Sequence, residues 1–524
     1  MTEPLIWLAI LGPAVLTGVG SVPETFANAH ARGCARAAFY ASIVALGVAL
    51  ATAADVAYRG PQHTATLGAR GVGLAIYADS LTTILFVLVA FVGAAAIRYS
   101  ANYLQGDSRQ GSFVRSMCLT LAAALLVIVS GNVLQLLLSG IATSMGLNRL
   151  LIFYRDRQAA VLAARKKFVF SRLADVCLIT AAVLIYRNVG TLDYDSILTY
   201  AHALQGAATV PRTIQVTAVL LATAAMLKSA LFPVHGWLTE VMETPTPVSA
   251  LLHAGIINAG GFLVLRFASV FVGSTPALDM LVILGTMTAV FASLVMLTQT
   301  SIKGSLAFST IAQMGFMMLE CGLCAFSTAL LHMVAHSLYN AHAFLSSGSV
   351  IDGNRTSSYV DKDAEPRHSR QLGLAGAMIC LVVASIMVDT GKFTLTAILL
   401  MGSLQLLIMA LDDPSNSSVL GRTVLVAVAV TVIYGILHVG AVGLLHGSLP
   451  SERDHPPVTP LMVFFITASF GIVVIVQYAV TRAARGRRWH ACYVHLANGL
   501  YVNAWFNRLA IRYWPPVPRR EPAE

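Results

Sequence analysis

Charged side chains are scarce in this sequence. Only 11% of its 524 residues are Asp, Glu, Lys or Arg, whereas 57% are hydrophobic, and the mean hydropathy is +0.74. A soluble protein of this composition would expose large apolar surfaces to water. Apolar windows of about 20 residues recur along the whole chain, which is typical of a polytopic helical membrane protein. The scarcity of charge therefore predicts an all-α fold that crosses the membrane many times.

Basic residues are missing from the N-terminus, and cysteines are few. The first 20 residues, MTEPLIWLAILGPAVLTGVG, contain Glu3 and no Lys or Arg, so we expect a retained first span rather than a cleaved signal peptide. The seven cysteines are scattered, mostly inside apolar runs, which argues against a disulfide framework. Cys321 and Cys324 form a CxxC within a predicted span without a second pair, which favours packing over metal binding.

The basic residues that do occur are concentrated in short connections between apolar runs. The net charge is +10. The main groups are Arg155, Arg157, Arg165, Lys166 and Lys167; Arg355, Lys362, Arg367 and Arg370; and Arg482, Arg485, Arg487 and Arg488. This is the positive-inside pattern of a multi-pass protein rather than a nucleic-acid footprint. We therefore expect these segments in the cytoplasm and the chain in the cell inner (plasma) membrane.

About fifteen spans are predicted, with the N-terminus outside and the tail inside. They lie near 5–22, 36–55, 78–98, 113–130, 132–152, 168–187, 211–245, 248–271, 277–298, 304–322, 326–349, 372–388, 393–411, 423–446 and 459–481. The basic tail reaches the cytoplasm only if 372–411 crosses twice and 211–245 crosses once. At about 1.5 Å per residue, 211–245 is too long for one straight helix across a core of about 30 Å. We therefore predict a broken helix, with Pro233 ending its first half.

The stretch LKSALFPVHGWLTEVMETPTPVSALLHA, residues 227–254, places ionisable side chains between two apolar runs. A Lys near the bilayer centre costs about 2.5–3.5 kcal/mol to insert, so such residues are few and usually functional. Lys228 directly precedes the predicted break, where the free carbonyls of a helix end stabilise a cation. The alternative is a lysine that snorkels from a helix end. Glu240 and His253 follow it in the same stretch.

Two other spans carry further charged residues. Asp175 in SRLADVCLIT is a second intramembrane acid, with Arg172 one turn earlier as its expected partner. Lys303 opens the span SIKGSLAFSTIAQMGF. Broken helices with ionisable groups at mid-membrane are how transporters let water and ions reach the middle of the bilayer. These residues therefore predict a proton path with Lys228 at the break.

Histidines follow one helix face in the next span, LLHMVAHSLYNAHAFLSSGSV. His332 and His336 are spaced i and i+4, and Asn340 extends the polar stripe by another step of four. Three interpretations remain open: a metal site, structural packing and a hydrated proton path. We expect the proton path, because no carboxylate or thiol sits nearby in the sequence to complete a metal site.

These motifs, together with KKFVFSRLADVCLI, resemble the antiporter-like, ion-translocating subunits of respiratory complex I, in the subunit 5 (L-type) branch. The resemblance implies two inverted five-helix repeats, each with a proton half-channel. It also implies that Lys228 is the central switching lysine, supported by Asp175 and Glu240. By the same resemblance, the hydrated axis contains His253, Lys303, His332 and His336.

This sequence departs from that family at particular positions, and these departures indicate a narrower group of relatives. Its members have a Glu in the fifth span, whereas this sequence reads LLLSGIATSMGLNRLLIFY, with Ile141 about where the Glu would be, and Asn340 stands in place of a Lys. A shortened relative of this kind is similar to the DabB family, the membrane subunits of DAB-type inorganic carbon accumulation complexes. That resemblance implies a zinc-containing, β-carbonic-anhydrase-like partner, DabA. It also implies coupling of cation flow to CO2 hydration in that partner, so we expect no enzyme activity and no cofactor in this chain.

The expected organisation has five parts. They are N-terminal transmembrane helices at 1–110, a first repeat at 111–271, a shortened second repeat at 272–411, C-terminal transmembrane helices at 412–481, and a basic amphipathic tail at 482–524. The tail alternates basic and aromatic residues, which predicts a helix on the membrane surface or against a cytoplasmic protein. The candidate partner-docking residues are Arg487, Arg488, Trp489, Tyr501 and Trp505.

Other functions remain compatible with the resemblance. The chain could pump protons in a complex I or hydrogenase-like assembly, or belong to an Mrp-type Na+/H+ antiporter. The missing fifth-span Glu argues against both, because each needs the Lys–Glu pair. A purely structural scaffold would leave Lys228 and Asp175 buried at a cost and without a role.

Overall fold

The computed structural model describes residues 6–69, 72–154, 157–204, 210–347, 417–450, 459–482 and 487–514. Helices dominate it. After a 3₁₀ turn at Trp7–Ile10, the first helices are α1 (Leu11–Gly20), α2 (Glu24–Ala29), α3 (Ala31–Arg59), α4 (Ser80–Tyr103), α5 (Gln110–Ile128), α6 (Val133–Leu151), α7 (Gln158–Val189), α8 (Tyr194–Leu204) and α9 (Arg212–Lys228).

The second set begins after α9 and includes several short helices. They are α10 (Gly236–Glu240), α11 (Thr246–Ala254), α12 (Ala259–Arg266), α13 (Ala268–Val272), α14 (Thr275–Met296), α15 (Ile302–Gly322), α16 (Phe326–Ser346), α17 (Ser417–Leu445), α18 (Pro460–Arg482), α19 (Arg487–Ala497) and α20 (Val502–Tyr513). Further 3₁₀ turns lie at Val241–Glu243, Ile256–Asn258 and Gly499–Tyr501.

Two small antiparallel sheets, which the sequence did not predict, interrupt a fold that is otherwise helical as expected. Strands β1 (Gln62–His63) and β4 (Tyr77–Ala78) pair with each other, and β2 (Leu67–Ala69) pairs with β3 (Val72–Leu74). Gly73 has a φ of +154°, and a Cβ there would lie 2.2 Å from the Leu67 carbonyl oxygen. These hairpins lie between α3 and α4, and short turn-rich segments of this kind leave no periodic sequence pattern.

Seven helices in the described part of the chain are long and apolar enough to cross a membrane. This agrees with a multi-pass protein, while the number of fifteen spans and the inverted repeats stay predictions. The segment 372–411, with its two predicted spans, lies outside the described residues. Helix starts are set by side-chain caps at several spans. Asp79, Asn132 and Ser301 each accept a hydrogen bond from a backbone N–H in the first turn of the following helix.

The position of α7 corrects one sequence prediction. The helix begins at Gln158, ten residues before the predicted span, so Arg165, Lys166 and Lys167 lie on a helix rather than in a connection. The segment QAAVLAARKK consists mainly of strong helix formers, which explains the early start. Lys166 and Lys167 are both buried.

A buried ion pair ties the start of α4 to the end of α12. The Arg266 guanidinium donates to both carboxylate oxygens of Asp79, at 2.9 and 3.1 Å, and also to the Thr82 hydroxyl. Both charged side chains are only 1% exposed. The guanidinium also lies 4.8 Å from the centre of the Tyr77 ring. Bidentate geometry and full burial make this pair a structural anchor of the N-terminal half.

We expect Asp79→Asn to destabilise the protein by about 3–5 kcal/mol, because it leaves a buried guanidinium without its counter-charge. Thermal unfolding of the detergent-solubilised protein measures this. Asp55→Asn is the control, since Asp55 pairs with Arg59 in a partly exposed position where ion pairs contribute little. Equal unfolding temperatures for the two variants would contradict the anchoring role.

Candidate functional site

Helix α9 ends at Lys228, five residues before the proline predicted to end it. Ala230 has a φ of +53°, and the Leu231 N–H bonds to the Met226 carbonyl at 3.4 Å. This is the left-handed cap of a Schellman motif, which stops a helix without proline. Pro233 is therefore not the cause of the break, and the predicted second half-helix is only the five residues of α10.

Lys228 pairs with Asp175, and the expected contact between Arg172 and Asp175 is also present. Its Nζ lies 3.0 Å from Asp175 Oδ1, and Arg172 approaches the other carboxylate oxygen at 2.8 Å. The Asp175 side chain is 5% exposed and that of Lys228 is 15% exposed. One carboxylate on α7 thus serves two cations, so Asp175 keeps a counter-charge when Lys228 moves away.

A cavity of about 100 Å³ adjoins this pair, between α6, α7, α9 and the α11–α12 segment. This is enough room for several water molecules. Most of its wall is apolar, and its polar lining residues are Thr143, Ser144, Lys167, Ser171, Lys228 and Asn258. A pocket of this size at a lysine is suited to proton exchange when water enters it.

Lys167 is a second buried lysine on that cavity. Its Nζ donates to the backbone oxygen and to the hydroxyl of Ser144, both at 2.8 Å. Ser144 lies one turn after Ile141 on α6, so a lysine from α7 approaches the helix that carries an acid in the complex I family. The sequence interpretation missed Lys167 because it assigned this basic cluster to a connection.

A second break separates His253 from Asn258. Helix α11 ends at Ala254, Gly255 has φ −120° and ψ −71°, and a 3₁₀ turn leads into α12. The Asn258 amide donates to the Ser337 hydroxyl on α16 at 2.7 Å. The predicted continuous span 248–271 is therefore interrupted, and a side-chain amide crosses the gap to the histidine-bearing helix.

His253 and Asn340 meet at the hydroxyl of Thr310, and His336 joins them through Asn340. The His253 Nδ1 lies 3.0 Å from Thr310 Oγ1, and the Asn340 amide donates to the same oxygen at 3.1 Å. Asn340 also donates to His336 Nε2 at 2.8 Å. All four side chains are buried. The polar stripe predicted on α16 is thus continuous with His253 on α11.

The stripe continues from His336 to a glutamate that the sequence interpretation missed. The His332 and His336 rings are 6.3 Å apart. His332 Nδ1 lies 2.9 Å from Glu320 Oε2, and its Nε2 lies 2.6 Å from Gln313 Oε1. The claim that no carboxylate is near these histidines is therefore wrong: Glu320, twelve residues before His332, is brought to it by the α15–α16 hairpin. An isolated acid in the apolar run MGFMMLECG was the available signal.

Metal binding finds no support in these histidines. In the ranges that the structure describes, no group of three or more His, Cys, Asp or Glu side chains is placed to hold an ion. Cys321 and Cys324 are buried free thiols.

Four predicted site residues lie apart from the Lys228 pair and the histidine stripe. The Lys303 ammonium donates to Thr246 Oγ1 at 3.3 Å. Glu240 pairs with Lys166, whose Nζ lies 2.7 Å from Glu240 Oε2, instead of approaching Lys228. In the tail, Tyr501 and Trp505 are exposed. The side chains of Arg487, Arg488 and Trp489 lie outside the described residues.

Comparison with known proteins defines the class of this fold. Residues 130–411 match the family described as NADH:quinone oxidoreductase/Mrp antiporter, TM, and residues 66–114 match complex I, chain 5 N-terminus. The Mrp complex from Dietzia sp. DQ12-45-1b superposes with a TM-score of 0.67 at 24% identity, covering 96% of this chain and 60% of that chain. An archaeal membrane-bound sulfane sulfur reductase gives 0.56 at 20% identity, covering 89% and 75%. The chain is a multi-pass membrane subunit of the antiporter-like, cation-translocating class.

Curated relatives identify the branch of that class. The probable inorganic carbon transporter subunit DabB2 of Halothiobacillus neapolitanus is 39% identical, covering 99% of this chain and 96% of its own length. Subunit DabB of Hydrogenovibrio crunogenus is 36% identical, covering 83% of each. Subunit L of the NADH-quinone oxidoreductase of Rickettsia typhi is 33% identical over 53% of this chain and 43% of its own length. The chain belongs to the DabB family of inorganic carbon transporter subunits.

We expect Glu320→Gln to slow ion flux through the protein by about tenfold, the factor that corresponds to about 1.4 kcal/mol. The substitution keeps the shape but replaces a charged hydrogen bond to His332 by a weaker neutral one. Dye-monitored pH change in proteoliposomes measures the flux. Glu24→Gln is the control, since Glu24 is an exposed partner of Arg115. Flux equal to that of the control would show that Glu320 lies off the path.

Proposed function

We propose that this chain is the cation-translocating subunit of an energy-coupled inorganic carbon uptake complex in the inner (plasma) membrane, with the proton as its cation. Flow down the proton gradient drives one-way CO2 hydration to bicarbonate in a zinc-containing, β-carbonic-anhydrase-like partner of the DabA type. The chain itself needs no cofactor for this role. The observation that carries the proposal is the Lys228–Asp175–Arg172 cluster, built around the buried Asp175 carboxylate and beside a cavity large enough for water.

The chemistry of the cluster supports proton transfer. A lysine can carry a proton and release it, whereas the neighbouring guanidinium stays charged. When Lys228 leaves Asp175, the carboxylate remains paired with Arg172, so opening does not strand a bare charge in the protein interior. The polar stripe from His253 through His336 to Glu320 provides a second set of groups that can carry protons between neighbouring helices.

The energies are compatible with this coupling. A hundredfold bicarbonate gradient costs about 2.7 kcal/mol, at about 1.4 kcal/mol per decade. One proton crossing about 150 mV releases about 3.5 kcal/mol. One or two protons per bicarbonate therefore suffice. The known complex I and Mrp relatives of the same class support the alternative of a redox-driven pump or Na+/H+ antiporter, but the α6 sequence lacks the acid those mechanisms use.

We expect Lys228→Ala to abolish bicarbonate uptake while both subunits reach the membrane at normal levels. Lys228→Arg should also fail, because a guanidinium does not release its proton in this range. Asp175→Asn should be nearly as severe, and His336→Ala milder, because water can replace one member of a relay. The assay is growth of a carbonic-anhydrase-deficient host in air. Arg212→Ala, at the exposed start of the same helix, is the control.

Full growth rescue by Lys228→Ala at normal expression would overturn the proton-coupling role. It would leave the chain as a membrane anchor for its partner.

The tail is proposed to dock the partner through its exposed aromatic residues. Tyr501→Ala combined with Trp505→Ala should reduce co-purification of the zinc-containing subunit several-fold, because exposed aromatics of this size often anchor interfaces. The bound fraction is measured by zinc content and protein ratio after affinity purification. Tyr58→Ala, an exposed tyrosine on α3, is the control. Unchanged recovery of the partner would rule out docking at these residues.

A further inference from the structure

The inner face of α20 is held by a closed hydrogen-bond network. Asn503 and Asn507 are spaced i and i+4, so both amides project from one face of the helix. Both amide nitrogens donate to Glu240 Oε1, at 2.9 and 2.7 Å. Both amide oxygens accept from Lys166 Nζ, at 2.7 and 2.5 Å. The two asparagines thus bridge a lysine and a glutamate that are themselves in contact.

This network surrounds the lysine with two amide oxygens and one carboxylate. An ammonium has three N–H donors, and here they face Asn503, Asn507 and Glu240. The Lys166 side chain is only 3% exposed as a result. Helix α20 can approach α10 this closely only because residue 236 is a glycine. A Cβ at that position would lie 1.9 Å from the Asn503 amide oxygen. Helix α20 therefore packs on a surface that is complementary to its inner face.

Aromatic contacts extend the attachment along α7. The Phe506 ring packs edge-on against Phe170 at 5.6 Å, and Arg165 lies 4.9 Å from the centre of the Trp514 ring. Trp505 is exposed on the opposite face of α20. One face of the helix therefore forms a clasp, which consists of the amide hydrogen bonds of Asn503 and Asn507 to Lys166 and Glu240, and the other face is exposed. A force or ligand on the outer face can therefore act on the network beneath it.

The clasp joins α7, which carries Asp175, to α10, which follows the break after Lys228. Lys166 is on α7, nine residues or about 13 Å before Asp175 on the same helix. Glu240 is in the segment that follows the break after Lys228. A shift of α7 against both neighbouring segments would separate Asp175 from Lys228 and Lys166 from Glu240. Two amides that hold Lys166 to Glu240 thus resist the same motion that opens the ion pair.

We propose that Asn503 and Asn507 are positioning residues of a gate, and that α20 is a strap that keeps the Lys228–Asp175 pair closed until it is released. In the clasped state the strap also shields Lys166 and Glu240 from water. Ion transfer at Lys228 requires the strap to loosen. This inference rests on the proposed function and adds a means by which the exposed face of α20 controls it.

The first test removes the clasp from the full-length protein. Asn503→Leu with Asn507→Leu keeps side-chain volume but removes all four amide hydrogen bonds. Passive proton flux in proteoliposomes should rise about tenfold, as expected when a hydrogen bond to a charged group is lost. Bicarbonate uptake in cells should fall, because the gradient leaks. Asn498→Leu is the matched control, since Asn498 lies in the same tail and bonds only locally, to the Val494 carbonyl.

A merely structural role predicts a different pattern. Loss of packing would lower the unfolding temperature and reduce both flux and uptake. The gate instead predicts that they change in opposite directions, and that the extra flux disappears when Lys228→Ala is added. Flux that stays at the wild-type level, or extra flux that persists with Lys228→Ala, would overturn the gate.

The second test locks the strap. A Cβ on residue 236 would lie 3.1 Å from Asn503 Cβ, slightly closer than the usual 3.5–4.5 Å of a disulfide, so Gly236→Cys with Asn503→Cys needs only a small adjustment. Cys492→Ser removes the exposed cysteine of the tail. Oxidation should stop proton flux and reduction should restore it, whereas neither single cysteine variant should respond. Unchanged flux after complete cross-linking would overturn the gate.

The outcomes separate the two proposals. If Lys228→Ala alone leaves bicarbonate uptake intact, the proposed function is wrong. If Lys228→Ala abolishes uptake but neither the clasp variant nor the disulfide changes flux, the proposed function stands and the gate is wrong.

Discussion

The shared carboxylate of Asp175 is the constraint on which the rest of the site depends. An ammonium inside a membrane protein needs a counter-charge, and a carboxylate left without one is equally costly. Asp175 meets both requirements because it contacts Lys228 on one oxygen and Arg172 on the other. The pair can therefore open without leaving an unpaired anion, which the proposed switching role of Lys228 requires.

Helix interruptions provide the space that this switch requires. Backbone groups released inside a membrane must find partners within the protein or in a cavity. At the end of α9 the Schellman cap takes up the free carbonyl of Met226, and at Gly255 the amide of Asn258 bridges to Ser337. Both breaks border the same cavity, which contains Lys228. The non-helical backbone at these two breaks therefore lies beside the cavity at Lys228, where water would serve proton exchange.

Sequence reasoning reached the central pair but not its surroundings. Asp175 and Lys228 stood out because charge is rare in apolar runs, whereas the direct contact between them is visible only in the folded structure. Lys167 was missed because a cluster of basic residues resembles a cytoplasmic connection, and only tertiary packing shows that it is buried. Glu320 lay beside a CxxC in an apolar run, and its partner is on another helix. Non-local contacts of this kind leave no signal in residue spacing.

Helix α7 connects these features into one mechanical unit. It carries Asp175 near its middle and Lys166 two to three turns earlier, so a rigid shift of α7 moves both by similar amounts. At one end the motion changes the counter-charge of Lys228, and at the other it changes the clasp with Glu240. Energy released by ion transfer at mid-membrane can thus reach the surface through a single helix. In the proposed complex, where transport and catalysis reside in separate subunits, a rigid helix with the proposed strap at its end would be sufficient to link them.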